Sequence, residues 1–297
     1  MGKAERIRAA NARERIAAQL AAAQRAEARK RMFLAGGSVL AVIVIVLGLI
    51  IWKSSTSSSS AATGTKGTTA EASLVTKQIT SVPVSTLNAV GQGSGVAPLK
   101  PTSGQPPLAS GGKPEVLYMG AEYCPYCAAE RWAMVVALSR FGTFSNLNLI
   151  HSDPSDVFPN TPTLTFHGSS YTSKYVTFTP VELYGLKNNG VALEKPTASE
   201  SALMTKYDPG SAGQGSPFPF VDIGNQYLAI GAQYLPTSLA KLTWAQVAAD
   251  IRNPSSTVAK GIDGAANSIT AAICKIAKNA PASVCNSAGA KAGAGSL

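Results

Sequence analysis

The sequence predicts an α/β domain that follows a single transmembrane helix. Residues 32–52 contain no charged residue, a stretch rich in Ser and Thr follows them, and from Pro114 onward strand-like runs alternate with helical patterns. Such alternation is typical of an α/β layer architecture. The expected segments are a basic cytoplasmic helix at 1–31, the transmembrane helix at 32–52, a linker at 53–72, the folded domain at 73–285 and a disordered tail at 286–297.

The uncharged segment 32–52 is long enough to span a membrane. At about 1.5 Å per residue it would form a helix of about 31 Å, close to the hydrocarbon thickness of about 30 Å. A cleaved signal peptide is the alternative, but its apolar region is about 7–15 residues long and ends at a small-residue cleavage site. Because this run is longer and 31 residues precede it, the sequence favours a retained anchor.

The basic N-terminal segment determines the predicted topology. Residues 1–31 carry nine Lys or Arg and three Glu, a net charge of +6 out of +10 for the whole chain. Three of these cations, at 29–31, abut the span, and Lys53 stands alone beyond it. The positive-inside rule therefore keeps the N-terminus in the cytoplasm and exports the rest. Anionic lipid is the expected partner near 29–31. Nucleic-acid binding is not expected, because no aromatic residue lies among the basic ones.

The exported part is predicted to alternate strands and helices. A compact apolar run at 116–119 is typical of a buried strand, and a one-sided apolar pattern from Cys124 to about Gly142 is typical of a helix. The other predicted elements are a short strand and helix within 74–96, a loop at 101–113, a second, parallel strand at 147–150, two strands within 163–179, helices at 197–207, 243–252 and 265–279, a loop at 210–216, and a hairpin of 220–223 with 226–230.

The motif Cys124-Pro125-Tyr126-Cys127 lies at the junction of the predicted strand and helix. Free backbone N–H groups and the positive end of the dipole stabilise a thiolate at a helix N-terminus. Cys124 is therefore the expected attacking sulfur, and Cys127, one turn further on, the expected resolving thiol. Pro125 suits the first turn, where its missing N–H is not needed.

Two other interpretations of this cysteine pair stay open. It has the form of half a zinc site, although Cys274 and Cys285 are separated by ten residues and both histidines are remote in sequence, which argues against a metal. It also has the form of a structural disulfide, although the strand-turn-helix context favours redox chemistry. No metal or organic cofactor is predicted.

The residues around the motif resemble the thioredoxin superfamily. Ala121, Glu122 and Tyr123, which link the apolar strand to Cys124, look like that superfamily's junction between strand and active site, and the Pro-Tyr dipeptide resembles that of glutaredoxins. The resemblance implies a thioredoxin-like domain over 73–285. Over most of this length the chain is also similar to an uncharacterised family of membrane-anchored bacterial thioredoxin-like proteins.

The resemblance further implies a cis-proline beside the disulfide, at the start of a strand that enters a tight hairpin. The segment 218–225 (FPFVDIGN) matches this arrangement, so Pro219 is the expected proline. Pro217 and an ordinary turn proline are the alternatives. Only about 5–6% of X-Pro bonds in folded proteins are cis, so the resemblance alone supports the isomer.

Two features depart from the superfamily's pattern. Tyr118 stands six positions before Cys124, where thioredoxins bury an acidic residue, which weakens the case for a thioredoxin-type reductant. The stretch between the first helix and Pro219 is longer than a minimal thioredoxin needs. We therefore expect an inserted segment around 158–215, which either covers the active site or forms a partner surface.

Cys274 and Cys285 are expected to form a structural disulfide, because they lie in the part assigned to the oxidising side of the membrane. A bridge that closes so short a loop contributes about 2–3 kcal/mol in the chain-entropy picture. A second redox pair is the alternative.

These expectations point to a membrane-anchored thiol-disulfide oxidoreductase that acts on extracytoplasmic proteins. Its substrates would be protein thiols or disulfides, exchanged through a mixed disulfide at Cys124. The oxidising compartment and Tyr118 favour an oxidase or isomerase. The alternative function is a non-catalytic thioredoxin-like interaction module, a scaffold in a cell-envelope complex, which the basic helix and the inserted segment would also suit.

Overall fold

The computed structural model describes residues 66–208 and 218–297. The predicted cytoplasmic helix, the predicted transmembrane helix at 32–52 and most of the linker lie outside the described residues, as does Pro217. Within the described ranges, no helix is both long and apolar enough to cross a membrane.

A mixed β-sheet forms the centre of the fold, with strand β3 (Lys113–Ala121) in its middle. On one side β3 pairs in parallel with β8 (Thr177–Tyr184), and on the other side it pairs antiparallel with β9 (Phe220–Ile223). The predicted hairpin is confirmed, since β9 turns directly into an antiparallel neighbour. The other strands of this sheet are β1 (Lys100–Pro101), β2 (Ala109–Ser110) and β10 (Tyr227–Ile230).

Two small antiparallel sheets are formed by strands within residues 142–173, which precede β8 in the sequence. One pairs β4 (Gly142–Ser145) with β7 (Ser170–Ser173), and the other pairs β5 (Asn148–His151) with β6 (Pro162–Thr165). The prediction that 147–150 forms a parallel strand is therefore wrong, because this strand pairs antiparallel with β6 instead.

The parallel neighbour of β3 comes from the segment 158–215, which was expected to be an insertion. That expectation is wrong for β8, which is a central strand of the sheet. Its sequence, TFTPVELY, contains Pro180 and Glu182 and forms no continuous apolar run. Periodicity alone therefore does not single it out as a buried strand.

Helices cover both faces of the central sheet. Alternate residues of β3 point to opposite faces, and Val116 and Tyr118 join one cluster of buried residues while Leu117 and Met119 join another. The helices are α1 (Thr69–Ile79), α2 (Val84–Val90), α3 (Pro125–Leu138), α4 (Ala198–Tyr207), α5 (Trp244–Ile251), α6 (Thr257–Ile276), α7 (Ala282–Cys285) and α8 (Ala288–Gly293).

The larger cluster fills the space between the sheet and helices α3 and α6. The smaller cluster places Met204 of α4 against the opposite face. Capping boxes begin α4 at Thr197 and α5 at Thr243, where each threonine hydroxyl accepts from a backbone N–H three residues on. The result is three layers, with the N-terminal end of α3 at the end of β3.

The two ends of the domain differ from the expected boundaries. Helix α1 begins at Thr69, inside the predicted linker, with Thr68 as its N-cap. The tail at 286–297 was expected to be disordered, but it contains α8 and a 3-10 turn at Ala294–Ser296. Its Ala and Gly content, which resembles a flexible linker, allows α8 to approach α6 closely. A Cβ atom on Gly293 would lie 2.2 Å from the carbonyl oxygen of Asn267.

Candidate functional site

The four-residue motif forms the first turn of α3, directly after β3. Cys124 is the N-cap, and its Sγ accepts a hydrogen bond from the backbone N–H of Cys127 at 3.4 Å. Pro125 occupies the start of the helix, where its fixed φ is already helical. The sulfur thus takes the position that a capping oxygen has in other helices, facing N–H groups that have no partner within the helix.

Both motif cysteines are free thiols in the structure, and both are largely buried. The Sγ of Cys124 lies 3.9 Å from the carbonyl oxygen of Phe218, and the Sγ of Cys127 accepts from the backbone N–H of Ala121 at 3.5 Å. Cys124 is the more exposed of the two, at 6% against 0% for Cys127. Only a small part of Cys124 is therefore accessible to a reacting sulfur on a partner.

The environments of the two thiols shift their pKa values in opposite directions. The hydrogen bond with Cys127 lowers the pKa of Cys124, and backbone N–H groups and the Arg131 guanidinium also lower it, against the opposing effect of burial. Burial raises the pKa of Cys127 well above its ordinary value, and the hydrogen bond with Cys124 raises it further. Cys124 is therefore the sulfur that ionises first.

Pro219 lies beside the motif. The peptide bond between Phe218 and Pro219 is cis, and Pro219 directly precedes β9, the antiparallel neighbour of β3. The preceding carbonyl, that of Phe218, faces Cys124. The central sheet therefore brings together residues 124 and 219, which are far apart in the sequence.

Aromatic side chains surround the cysteine pair. Tyr123, Tyr126, Tyr184 and Phe218 are partly buried and pack against Cys124, Cys127 and Ala121. The ring of Tyr126 also makes an edge contact with Phe158, at 5.6 Å between ring centroids. The surface around Cys124 is consequently apolar and half-buried.

A buried ion pair under the motif was not anticipated from the sequence. Arg131 of α3 and Glu182 of β8 are fully buried, and the Nη2 of Arg131 lies 2.8 Å from the Oε2 of Glu182. The guanidinium also lies over the ring of Tyr118, at 5.8 Å from its centroid. One signal was present in the sequence, since Arg131 stands four residues after Cys127 on a helix whose only other charged residue is Glu130. Its partner on β8 gave no such signal.

Glu122 and Glu130, which flank the motif, are both buried. One Glu130 oxygen accepts from the backbone N–H of Gln233 at 2.9 Å, and burial raises the pKa of Glu130 to about 7. This carboxyl is therefore a buried group of the core rather than a surface charge.

The second cysteine pair is separate from the motif. A disulfide joins Cys274 in α6 to Cys285 in α7. Cys274 belongs to the large buried cluster and is not among the residues around Cys124 and Cys127. Among the described residues, no three His, Cys, Asp or Glu side chains are grouped so that they would hold a metal ion.

The chain matches the model of a known protein family over part of its length. The model of a family described as "Domain of unknown function (DUF929)" matches residues 102–275, more than half of the chain. No curated protein and no solved structure matches the chain.

Proposed function

The chain belongs to the DUF929 family, and from the geometry of its cysteine pair we propose that it is a membrane-anchored thiol-disulfide oxidoreductase with a thioredoxin-like domain. The observation that carries the proposal is the placement of the cysteine pair, since the Cys124 sulfur caps the N-terminus of α3 and Cys127 lies fully buried one turn further on. The opposite directions of their pKa shifts agree with this arrangement. An acidic thiol at a helix N-terminus beside a buried, protonated thiol is the arrangement that exchange chemistry needs.

Three features of the fold support the thioredoxin-like part of the proposal. The motif follows a central strand, β3, that has one parallel and one antiparallel neighbour. The antiparallel neighbour enters a hairpin and is preceded by Pro219, whose peptide bond is cis. The strand-to-motif junction and the proline before a hairpin strand are features that the resemblance to the thioredoxin superfamily implies for these residues.

The proposed reaction is an exchange in two steps. The Cys124 thiolate attacks one sulfur of a substrate disulfide, a bond forms between the two sulfurs, and the other substrate sulfur leaves as a thiolate and takes up a proton. Cys127 then loses its proton and attacks Cys124, which releases the first substrate sulfur and leaves the motif oxidised. In the reverse direction, the same steps oxidise a substrate dithiol and reduce the motif.

The proposed location is the outer side of the cytoplasmic membrane. The uncharged segment 32–52 would anchor the chain, and the basic residues at 29–31 would contact anionic lipid on the cytoplasmic side. The substrates would then be thiols or disulfides of extracytoplasmic proteins. Because that compartment is oxidising and Tyr118 replaces an acidic residue, the proposal favours oxidation or isomerisation over reduction.

One observation favours a second candidate, an interaction module that does no turnover. The small exposure of Cys124, 6%, limits its access to a partner sulfur. The reduction potential of the motif separates the two functions. A value of about −120 to −230 mV is typical of exchange proteins, whereas a value below about −300 mV is typical of a structural bridge. Titration of the purified protein against glutathione measures it.

Trapping tests the roles of the two cysteines. The change Cys127→Ser removes the resolving thiol, so mixed disulfides between Cys124 and substrate proteins should accumulate and appear on non-reducing gels. The matched change Cys124→Ser should trap nothing, because the remaining thiol is buried and protonated. If Cys127→Ser captures no protein while Cys124 reacts with an alkylating agent, the catalytic proposal falls and the interaction module takes its place.

A further inference from the structure

The buried ion pair between α3 and β8 has an ideal geometry. The Nε of Arg131 donates to one oxygen of Glu182 at 2.8 Å, and its Nη2 donates to the other oxygen at 2.8 Å. Both side chains are fully buried. Taking two charges out of water is costly, and a well-packed apolar pair of similar size is often as stable or more stable. Stability alone therefore gives a weak reason for this pair.

The guanidinium is connected to the motif by one residue. Its Nη2 also donates to the carbonyl oxygen of Ala121 at 2.7 Å, and the N–H of Ala121 donates to the Sγ of Cys127 at 3.5 Å. Arg131 follows Cys127 by four positions on α3, so the two side chains lie on the same face of the helix. The hydrogen bonds and the sequence spacing thus agree that the positive charge lies near Cys127, with the backbone of Ala121 linking the two side chains.

An arginine in this place remains charged even when it is buried, since it does not deprotonate in proteins. Its charge lowers the pKa of Cys124, as a smaller effect beside the hydrogen bond with Cys127. It also opposes the strong effect of burial on the pKa of Cys127. The carboxylate of Glu182 holds the guanidinium in position through two hydrogen bonds, and neither sulfur is among its hydrogen-bond partners.

We propose that Arg131, oriented by Glu182, is a positioning residue that stabilises the thiolates of the motif, above all that of Cys127 in the resolving step. The inference rests on the proposed exchange function and deepens it. In that step Cys127 gives up its proton, its sulfur forms a bond with Cys124, and the bond between Cys124 and the substrate sulfur breaks. The substrate sulfur leaves as a thiolate and takes up a proton, which balances the one that Cys127 lost. As Cys127 loses its proton, negative charge appears on its fully buried sulfur, next to the fixed positive charge.

The test uses the full-length protein and two variants with opposite expected effects. The double change Arg131→Met and Glu182→Met removes both charges and leaves no unpaired charge in the core. We expect Cys124 to be alkylated by iodoacetamide about tenfold more slowly below its midpoint pH, because the nearer, positive charge is lost. Release of glutathione from a Cys124 mixed disulfide by Cys127 should slow by a similar factor.

The single change Glu182→Gln keeps the shape of the side chain and removes only the negative charge, so both reactions should become faster. Effects of opposite sign are expected from electrostatics and not from a purely structural role. The matched control is Glu130→Gln, which removes a buried carboxyl adjacent to Arg131 that contacts Gln233 and not the cysteines. It should change both rates by less than about twofold.

Thermal unfolding checks that each variant folds. If one charge variant does not fold, the other alone shows whether the two rates rise or fall as expected. Rates that stay unchanged, or that fall in both charge variants, overturn the inference. A wild-type protein that exchanges no disulfide with glutathione would instead refute the proposed function. The two failures are therefore distinguishable.

Discussion

Two buried carboxyl groups, Asp263 and Glu130, link the stability of the domain to pH. Both side chains are fully buried, and neither oxygen of Asp263 has a hydrogen-bond partner among the described residues. Burial raises the pKa of Asp263 to about 8 and that of Glu130 to about 7. Each group binds its proton more tightly in the folded state than in the unfolded chain, where the values are about 3.9 and 4.3.

The stabilisation from a raised carboxyl pKa is fully present below the unfolded pKa and is lost as the pH rises through the folded pKa. We therefore expect the unfolding free energy to fall between about pH 5 and pH 8, by about 1.4 kcal/mol per pH unit for each proton difference. Asp263→Asn should remove the part of this pH dependence that extends to about pH 8. Glu130→Gln should remove the part that extends to about pH 7. Urea unfolding across this range measures the slopes. A wild-type slope of zero would contradict the burial of two neutral acids.

At the scale of the element, helix α8 shows how a sequence of small residues becomes ordered. The side chain of Asn267 on α6 donates to the carbonyl oxygens of Leu87 and Gly91. Helix α8 packs against α6 around Asn267, and Gly289 and Gly293 are buried at this contact. The absence of side chains at Gly289 and Gly293 permits this close approach, because a Cβ on Gly293 would overlap the backbone of α6.

This packing predicts that Gly293→Ala destabilises the domain by about 1–3 kcal/mol, since an added methyl group must displace backbone atoms. The matched control is Lys291→Ala, which changes an exposed residue of the same helix and should alter stability by less than about 0.5 kcal/mol. Thermal and urea unfolding provide the comparison. Equal stability of Gly293→Ala and the wild type would show that α8 does not pack tightly on α6.

At the scale of the whole molecule, the charge distribution predicts how the chain is oriented. From the cations at 29–31 and the uncharged segment 32–52, we expect residues 1–31 to lie inside and residues 53–297 outside. The proposed substrates depend on this orientation, because an exported domain meets extracytoplasmic proteins. The prediction concerns residues outside the described ranges and therefore needs its own measurement.

A reporter enzyme that is active only outside the cytoplasm should be active when it is fused after Leu297. A reporter that works only in the cytoplasm should be inactive at the same position. Changing Arg29, Lys30 and Arg31 together to Ala should weaken the preference and produce a mixture of orientations. Cytoplasmic activity of the C-terminal fusion of the unchanged chain would reverse the topology.

Much of the candidate site could be predicted because its signals are local. A turn of four residues, Cys124 to Cys127, between an apolar run and an amphipathic pattern is enough to predict a thiol at a helix N-terminus. The hairpin around Gly224 and Asn225 also follows from neighbouring residues, since Asn225 has a positive φ that this residue tolerates. The position of Pro219 came from a resemblance and not from periodicity.

The sequence by itself determined the motif, its helix and the hairpin, because each depends on residues close together along the chain. Only the tertiary structure decided that β8 is the parallel neighbour of β3. Polar residues interrupt the apolar pattern of β8, and its burial depends on residues that are distant in the sequence. The tertiary structure alone paired Arg131 with Glu182, which are 51 residues apart. It also ordered the Ala- and Gly-rich tail, since small residues specify close contact only once the opposing helix is in place.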